Sequence, residues 1–219
     1  MTTALTPPER AAPRRRRKAD RPGEIIAAAI EVFVEQGFGA AKLEEVARRA
    51  GVAKGTVFVY FPTKEALFRA VARSVLDGDL GGVAAVADLD RPAAELVAAV
   101  LAQAAVLGQS PVAGVVRLII AEAKSFPDLA QVWHDEVVAR ALAIITLVIE
   151  RAQARGEIRA GDPRLYAFSI LGPMLAAVLF RQVFADAGAA LPDLPALARQ
   201  HAATIIDGLR PAGEDRPAI

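Results

Sequence analysis

Hydrophobic residues recur along this chain at helical spacing, with polar residues filling the positions between them. One face of the segment from residue 24 to residue 36 carries Ile26, Ala29, Ile30, Phe33 and Val34. Later segments keep the same period of three to four residues, and no segment sustains the apolar–polar alternation of a half-buried strand. The pattern therefore predicts an all-α fold.

Glycine and proline residues interrupt this pattern and divide it into about nine predicted helices. We expect Asp20 to cap the first helix, with Pro22 in its first turn. Gly51 is expected to end the second helix in the left-handed conformation, Pro62 to end the third, and Thr63 to cap the fourth. The predicted helices cover residues 24–36, 42–50, 54–61, 64–76, 91–108, 111–125, 127–155, 163–187 and 192–209.

The order of these helices predicts two folded parts with a tail at each end. Residues 1–19, which contain the run Arg14 to Lys18, are expected to be a disordered basic arm. Residues 20–64 are expected to form a three-helix domain, residues 65–210 a second, larger helical bundle, and residues 211–219 a flexible tail. The arm is either a solubility tail or a segment that follows phosphates or enters the minor groove.

Composition excludes several classes of function. The chain has no cysteine and only two histidines, and it shows neither a Gly-rich phosphate loop nor an H-E-x-x-H motif. We therefore predict that it is not an enzyme and binds no cofactor or metal, and the lack of cysteine fits the cytoplasm. No signal peptide is visible, and the apolar stretch 165–180 is too short for a membrane span, so it is expected to be a buried helix.

Charge is distributed unevenly between the two ends of the chain. Residues 1–64 hold 12 Lys and Arg against 7 Asp and Glu, whereas residues 65–219 hold 14 against 18. A basic head on a mildly acidic body indicates a polyanionic partner at one end only.

The segment from Phe38 to Lys64 predicts two short helices joined by a tight turn at Gly51. Ala47 and Val52 are small enough to let the helices cross closely, while the larger apolar side chains fill the space beneath, namely Val46, Val57 and Phe61. This is the design of a helix-turn-helix, whose second helix enters the major groove. The alternatives are a helical hairpin that binds nothing and one that binds protein.

The same segment resembles the DNA-binding domain of the TetR/AcrR family of regulators. The matching motifs are G-F at 37–38, L-x-x-V-A-x-x-A-G-V at 43–52, K-G-T at 54–56 and Y-F-x-x-K-E-x-L at 60–67, and the resemblance covers residues 24–72. Beyond residue 72 the similarity is one of helix order and length, with the stretch 121–130 resembling a segment of some members.

The resemblance implies which residues contact DNA. Gly55 permits close backbone approach, the Thr56 hydroxyl reaches a phosphate or base edge, and Lys54 and Lys64 act as phosphate clamps. The full implied set is Lys42, Lys54, Gly55, Thr56, Phe58, Val59, Tyr60 and Lys64. Phe58 stands where tyrosine is usual, Val59 where a polar residue is common, and Ala41 where threonine commonly caps the second helix. With these residues the helix makes mainly apolar contacts to bases. The departures therefore affect which operator sequence is recognised and not whether DNA is bound.

The resemblance also implies the role of the body. It predicts a homodimer that binds double-stranded operator DNA and releases it when a small-molecule effector binds, which makes a repressor, with an activator and an adaptor protein as alternatives. The predicted dimer interface comprises Phe168, Gly172, Ala176, Leu179, Val183, Leu197, His201 and Ile205. The predicted ligand pocket comprises Leu101, Leu118, Glu122, Phe126, Trp133, His134, Val137 and Phe168. For both sets the alternative is ordinary packing in the protomer's own core.

Overall fold

The computed structural model describes residues 13–77 and 88–211, within which every regular element is helical. The elements are α1 (Pro13–Ala40), α2 (Leu43–Arg49), α3 (Lys54–Tyr60), α4 (Lys64–Asp77), α5 (Ala93–Gln109), α6 (Ala113–Glu122), α7 (Pro127–Trp133), a π-helical turn (His134–Val138), α8 (Ala139–Ala154), α9 (Pro163–Phe184), a 3-10 turn (Ala185–Ala187) and α10 (Leu194–Leu209). Because α7, the π-helical turn and α8 are continuous, these residues form nine helical stretches. The predicted all-α fold is confirmed.

Local signals in the sequence account for most helix ends. Gly51 adopts a positive φ of 64° after α2, and the N–H of Val52 donates to the Ala47 carbonyl at 3.0 Å. The Thr63 hydroxyl accepts from the N–H of Ala66 at 3.0 Å and caps α4 as predicted. Gly37, at a φ of 79°, interrupts α1 where the sequence predicts that the first helix ends.

The first residues of α1 and of α2 differ from those predicted. Helix α1 begins at Pro13 instead of following Asp20, so residues 13–19 are helical and Pro22 lies inside the helix. Arginine, lysine and alanine fill that segment and are strong helix formers, which explains the extension. Residues 1–12 of the predicted arm and residues 212–219 of the predicted tail lie outside the described residues. Helix α2 begins at Leu43, with Lys42 at the N-cap position and no side-chain capping bond.

The buried side chains form two main clusters. The first joins α1, α2 and α3 to α4, α6 and α7, and at its centre the ring centroids of Phe33, Phe38 and Phe68 lie 5.5–6.0 Å apart. The second holds α5, α8, α9 and α10 together. Helix α4 therefore packs within the first cluster, where it ties the N-terminal helices to the body.

Helix α9 is buried on one side only, unlike the buried helix that its apolar sequence predicts. Its inner face packs Ile170 and Met174 into the second cluster, whereas its outer face leaves large apolar side chains exposed. Among the described residues, Pro163–Ala187 is the one unbroken helix that is long and apolar enough to cross a membrane. Only 22% of its most apolar 18-residue stretch is buried.

Candidate functional site

Helix α3 presents an open face that begins at its first turn. Val57 is fully buried in the first core cluster, and Phe61 is 8% exposed just beyond the helix end, so these two side chains fix which way α3 faces. On the opposite face Phe58 is 41% and Val59 is 80% exposed. Large apolar side chains are seldom left so open unless another molecule covers them.

Gly55 has no steric function within the chain. A β-carbon at this position would meet no atom within 4 Å, and Gly55 is absent from the set of glycines with positive φ. A glycine in a helix costs about 1 kcal/mol relative to alanine. Among the described residues nothing requires the missing side chain, and its absence leaves room for an external molecule to approach the start of α3 closely.

Lys54 lies at the same end of α3, with an exposed ammonium that already has an internal partner. It forms an ion pair with Glu44 of α2 and lies 5.7 Å from the centre of the Phe58 ring. The hydrogen bond from Lys54 lowers the pKa of the Glu44 carboxyl, which is therefore charged at neutral pH. The sequence pattern does not indicate this pairing, because nine residues, including a turn, separate Glu44 from Lys54.

Lys64 occupies a different environment from the one predicted for a phosphate clamp. Its ammonium donates to the carbonyl oxygens of Phe38, Gly39 and Ala41 at 2.5, 3.0 and 3.2 Å. An ammonium has three N–H donors, and these contacts use all of them. The structure thus places Lys64 at the end of α1, where it satisfies carbonyls that the helix leaves without partners.

The remaining predicted contacts vary in exposure. Lys42 is exposed beside α2, while Thr56 and Tyr60 are half-buried along α3. An ion-pair network links α2 to α1 in this domain. Arg49 of α2 contacts Glu45 at 2.9 Å and Glu35 of α1 at 2.5 Å. The structure therefore brings Lys54, Gly55, Phe58 and Val59 onto one open face of α3, which packs against α2.

A second feature is an apolar cavity of about 420 Å³ in the body. The described residues of its walls include no charged, hydroxyl or amide side chain, and the single polar atom among these side chains is the indole nitrogen of Trp133. Helices α4 to α9 contribute the lining residues Val75, Ala104, Leu107, Gly108, Val112, Ala113, Val116, Ile119, Ile120, Trp133, Val137, Val138, Ala141, Leu142, Phe168, Leu171, Gly172, Met174, Leu175 and Val178. This lining suits a hydrocarbon better than a polar molecule.

Three of the eight predicted pocket residues line this cavity, namely Trp133, Val137 and Phe168. Leu101 and Leu118 are instead packed into the second and first core clusters, because neighbouring helices cover the faces that carry them. His134 is exposed and its Nδ1 lies 2.9 Å from the Asp135 carboxylate.

The other two predicted pocket residues lie where the body meets α1. Phe126 borders a separate, more polar cleft of about 440 Å³ between α4 and α7, together with Phe38 and Phe68. Glu122 accepts hydrogen bonds from the N–H groups of Phe38 and Gly39, both at 3.1 Å. Neither residue lines the apolar cavity, because α6 packs on α1 and its end lies there.

The predicted dimer surface separates into an open part and a packed part. On α9, Phe168 and Val183 are 60% and 57% exposed, Gly172 and Ala176 are also exposed, and Leu179 is half-buried. On α10, Leu197 and Ile205 are half-buried against the second core cluster, and the His201 ring nitrogen lies 3.1 Å from the Ile170 carbonyl. The alternative that these side chains face their own core is thus wrong for the exposed residues of α9.

The chain matches two family descriptions in sequence. Residues 25–71 match "Bacterial regulatory proteins, tetR family", and residues 86–191 match "Tetracyclin repressor-like, C-terminal domain". The first match covers the helices that build the α3 face, and the second covers most of the body that contains the cavity. Together they span more than half of the chain.

Individual proteins with similar sequences are also transcriptional regulators. The transcriptional regulator RutR of Escherichia coli is 47% identical over 53 residues, which are 24% of this chain and 25% of that protein. The transcriptional activator FasR of Mycolicibacterium smegmatis is 41% identical over 64 residues, 29% of each protein. The chain thus matches only about a quarter of the length of these curated relatives.

Similarity of fold extends over nearly the whole chain. The transcriptional regulator FadR of Bacillus subtilis, solved in complex with stearoyl-CoA, superposes with a TM-score of 0.67 at 25% identity, covering 86% of this chain and 99% of that one. The open recognition face, the order of helices and both sequence matches lead to one conclusion. This chain belongs to the TetR family of DNA-binding transcriptional regulators.

Proposed function

We propose that this protein is a homodimeric repressor that binds operator DNA through α3 and releases it when an apolar effector enters the body. The observation that carries the proposal is the exposed α3 face, where no described atom fills the space beside Gly55 and the large apolar side chains of Phe58 and Val59 are left open. Thr56 and Lys54 at the same helix end supply a hydroxyl and a cation for phosphates or base edges. Phe58 and Val59 supply apolar contacts for thymine methyl groups.

The DNA-binding proposal is tested by selecting binding sites from random duplexes with the full-length protein and titrating the selected operator at several salt concentrations. In the variant Lys54→Gln the affinity should fall for all sequences alike. The magnitude of the salt slope should decrease by about 1 for each protomer, because one phosphate contact is lost. Thr56→Ala should weaken operator binding without changing the mass of the assembly.

Arg159→Gln is the matched control for loss of a positive charge. Arg159 follows α8, whose 16 residues extend about 24 Å from the π-helical turn that packs on α4. Its affinity and salt slope should equal those of the wild type. If Lys54→Gln and Thr56→Ala both bind as the wild type does, α3 is not the recognition helix and the proposal fails.

The dimer follows from the outer face of α9 and from the needs of DNA recognition. Phe168, Leu175 and Val183 form an exposed apolar stripe beside the small residues Gly172 and Ala176, which allow two helices to approach closely. Phe168, Gly172 and Leu175 also line the cavity, so the cavity adjoins this face of α9. An apolar surface of this kind is typical of a protein interface. One helix-turn-helix also contacts few base pairs, so pairing of two protomers is expected.

The effector follows from the walls of the cavity. A hydrocarbon chain gains about 0.8 kcal/mol for each methylene that it buries, and the lining offers almost no hydrogen-bond partner for anything more polar. The stearoyl-CoA bound to the structurally similar FadR supports a long acyl chain as the class of effector. Repression is proposed over activation, although the relative FasR is named an activator.

Operator release by saturated acyl-CoA thioesters of increasing length tests the effector class. Affinity should rise about fourfold per added methylene until the cavity is full, which corresponds to 0.8 kcal/mol each. A promoter–reporter fusion then determines the sign of regulation, since a repressor raises expression on release and an activator lowers it. Absence of any effect on operator binding across the series would exclude acyl chains as effectors.

The location of the protein is also a proposal. Relatives of this chain are DNA-binding regulators, and such proteins act where the chromosome lies, so we propose the cytoplasm. The basic segment at the start of the chain would then be free to contact phosphates next to the operator. Deletion of residues 1–18 should lower the magnitude of the salt slope, and equal slopes would show that the arm makes no such contact.

A further inference from the structure

The end of α1 is held from two sides by side chains that belong to other elements. Glu122, the last residue of α6, accepts hydrogen bonds from the backbone N–H groups of Phe38 and Gly39 through its two carboxylate oxygens. Lys64, the first residue of α4, donates to carbonyl oxygens of the same short segment. We call this contact between Glu122 and residues 38–39 the α1–α6 clamp.

The glycines around Phe38 leave room for the clamp. A β-carbon at Gly37 would collide with Oε1 of Glu122, and one at Gly39 would lie 3.2 Å from the Phe126 ring. The Phe126 ring also packs against the Phe38 ring, with centroids 5.3 Å apart. The sequence G-F-G thus brings the corner between α6 and α7 directly onto the backbone of α1.

A second contact, between the start of α6 and an earlier residue of α1, also holds the two helices together. A β-carbon at Gly114 would lie 2.6 Å from Cγ1 of Val34, so the Val34 side chain packs directly on the backbone of α6. Contacts at Gly114 and at Glu122 fix α6 at both of its ends. A carboxylate with two backbone N–H donors is a directional contact, so it restricts rotation more than apolar packing does.

We propose that Glu122 is a positioning residue that holds the DNA-binding domain at a set angle to the body, and that it thereby determines which operator half-site spacing the dimer accepts. This inference rests on the proposed function, because it requires a dimer that reads two half-sites. One inserted base pair moves a half-site by about 3.4 Å and rotates it by about 34°. A rigidly clamped domain cannot follow that movement, whereas a loosened one can.

The experiment compares the selected operator with versions whose spacer is one base pair longer or shorter. The wild type should bind the altered spacers at least about tenfold more weakly. In Glu122→Ala this ratio should fall to about threefold or less, with Glu122→Gln in between because one amide oxygen replaces two acceptors. The penalty for a base substitution within a half-site should not change, because α3 itself is untouched.

Asp128→Asn is the matched control, since it removes an exposed carboxylate from the adjoining first turn of α7 and leaves α1 untouched. Its spacing ratio should equal that of the wild type. Hydrogen exchange supplies an independent readout, in which the amides of Phe38 and Gly39 should exchange faster in both Glu122 variants than in Asp128→Asn. Thermal unfolding checks that all variants are folded.

The outcomes separate this inference from the function on which it rests. If the wild type shows no sequence preference in DNA binding, the proposed function fails and the spacing role fails with it. If the wild type discriminates spacers and folded Glu122→Ala discriminates them equally, Glu122 has no positioning role although the protein is a DNA-binding regulator. Unchanged amide exchange in the Glu122 variants would likewise overturn the clamp.

Discussion

The ammonium of Lys64 lies 4.7 Å from the centre of the Phe38 ring and donates a hydrogen bond of 2.5 Å to the carbonyl oxygen of the same residue. The Lys64 side chain thus makes both a hydrogen bond to the backbone of Phe38 and a cation–π contact with its ring. Phe38 in turn packs on Phe33 and Phe68 in the first core cluster. We therefore propose that Lys64 stabilises this end of α1, whereas the family resemblance implies a direct phosphate contact.

Replacing Lys64 separates these two roles. Lys64→Met should lower the free energy of unfolding by about 1–3 kcal/mol, because carbonyl oxygens at the end of α1 lose their donors. Urea unfolding measures this loss. The salt slope of operator binding should stay as in the wild type at a temperature where the variant is folded. A slope reduced as in Lys54→Gln, with unchanged stability, would show that Lys64 contacts phosphate.

Removing the partner of Lys54 should strengthen DNA binding. In Glu44→Gln the Lys54 ammonium no longer pairs with a carboxylate, and one negative charge disappears from the surface that approaches phosphates. We expect tighter operator binding, measured by fluorescence anisotropy, with the largest gain at low salt. The double variant Glu44→Gln/Lys54→Gln should gain less than Glu44→Gln alone, and equal gains would contradict a role for this ion pair.

Acid should destabilise the N-terminal domain through Glu45. Hydrogen bonds from Arg48 and then Arg49 lower the pKa of this carboxyl from 4.5 to about 2. Because the pKa is lower in the folded state, the contribution is complete above the unfolded pKa of 4.5 and is lost as the pH falls from about 5 towards 2. Chemical unfolding at several pH values should show a shallower decline for Glu45→Gln than for the wild type. Glu150→Gln, at an exposed position on α8, serves as control and should follow the wild-type curve.

Filling the cavity should change the preferred length of the effector. Ala141 lines the cavity, whereas Ala143 on the same helix is exposed. Ala141→Leu should therefore shift the tightest-binding acyl chain to a shorter one in titrations of the length series, because part of the volume is occupied. Ala143→Leu should retain the wild-type preference. The same optimum in both variants would place the acyl chain elsewhere.

A charge on the outer face of α9 should separate the protomers. Val183→Asp introduces a carboxylate where the proposed partner helix packs, and a buried unpaired charge is strongly unfavourable. Sedimentation equilibrium should show a monomer, and operator affinity should fall because the two half-sites are no longer linked. Val106→Asp is the control, since Val106 is 50% exposed on α5. A Val183→Asp variant that remains dimeric would exclude this face of α9 as the interface.

Local signals in the sequence were sufficient for most elements of the fold. A turn at Gly51 requires a positive φ, a hydroxyl at Thr63 caps the next helix, and Val57 is buried because its position follows the helical period. Each of these effects acts within about one helical turn, so a stretch of a few residues determines it. The start of α1 was misplaced because helix formers before Asp20 outweigh the capping signal.

Tertiary packing decided the partners of Glu122 and Lys64 and the walls of the cavity. Glu122 and Lys64 lie far from Phe38 in the chain, and only the packing of α6 and α4 against α1 brings them together. Trp133 faces the cavity while the adjacent His134 faces solvent, a difference set by the neighbouring helices. Periodicity determines which side chains share a face of a helix. What covers that face depends on the angle and distance at which helices distant in sequence pack. Neither quantity can be read from the identity of a single residue.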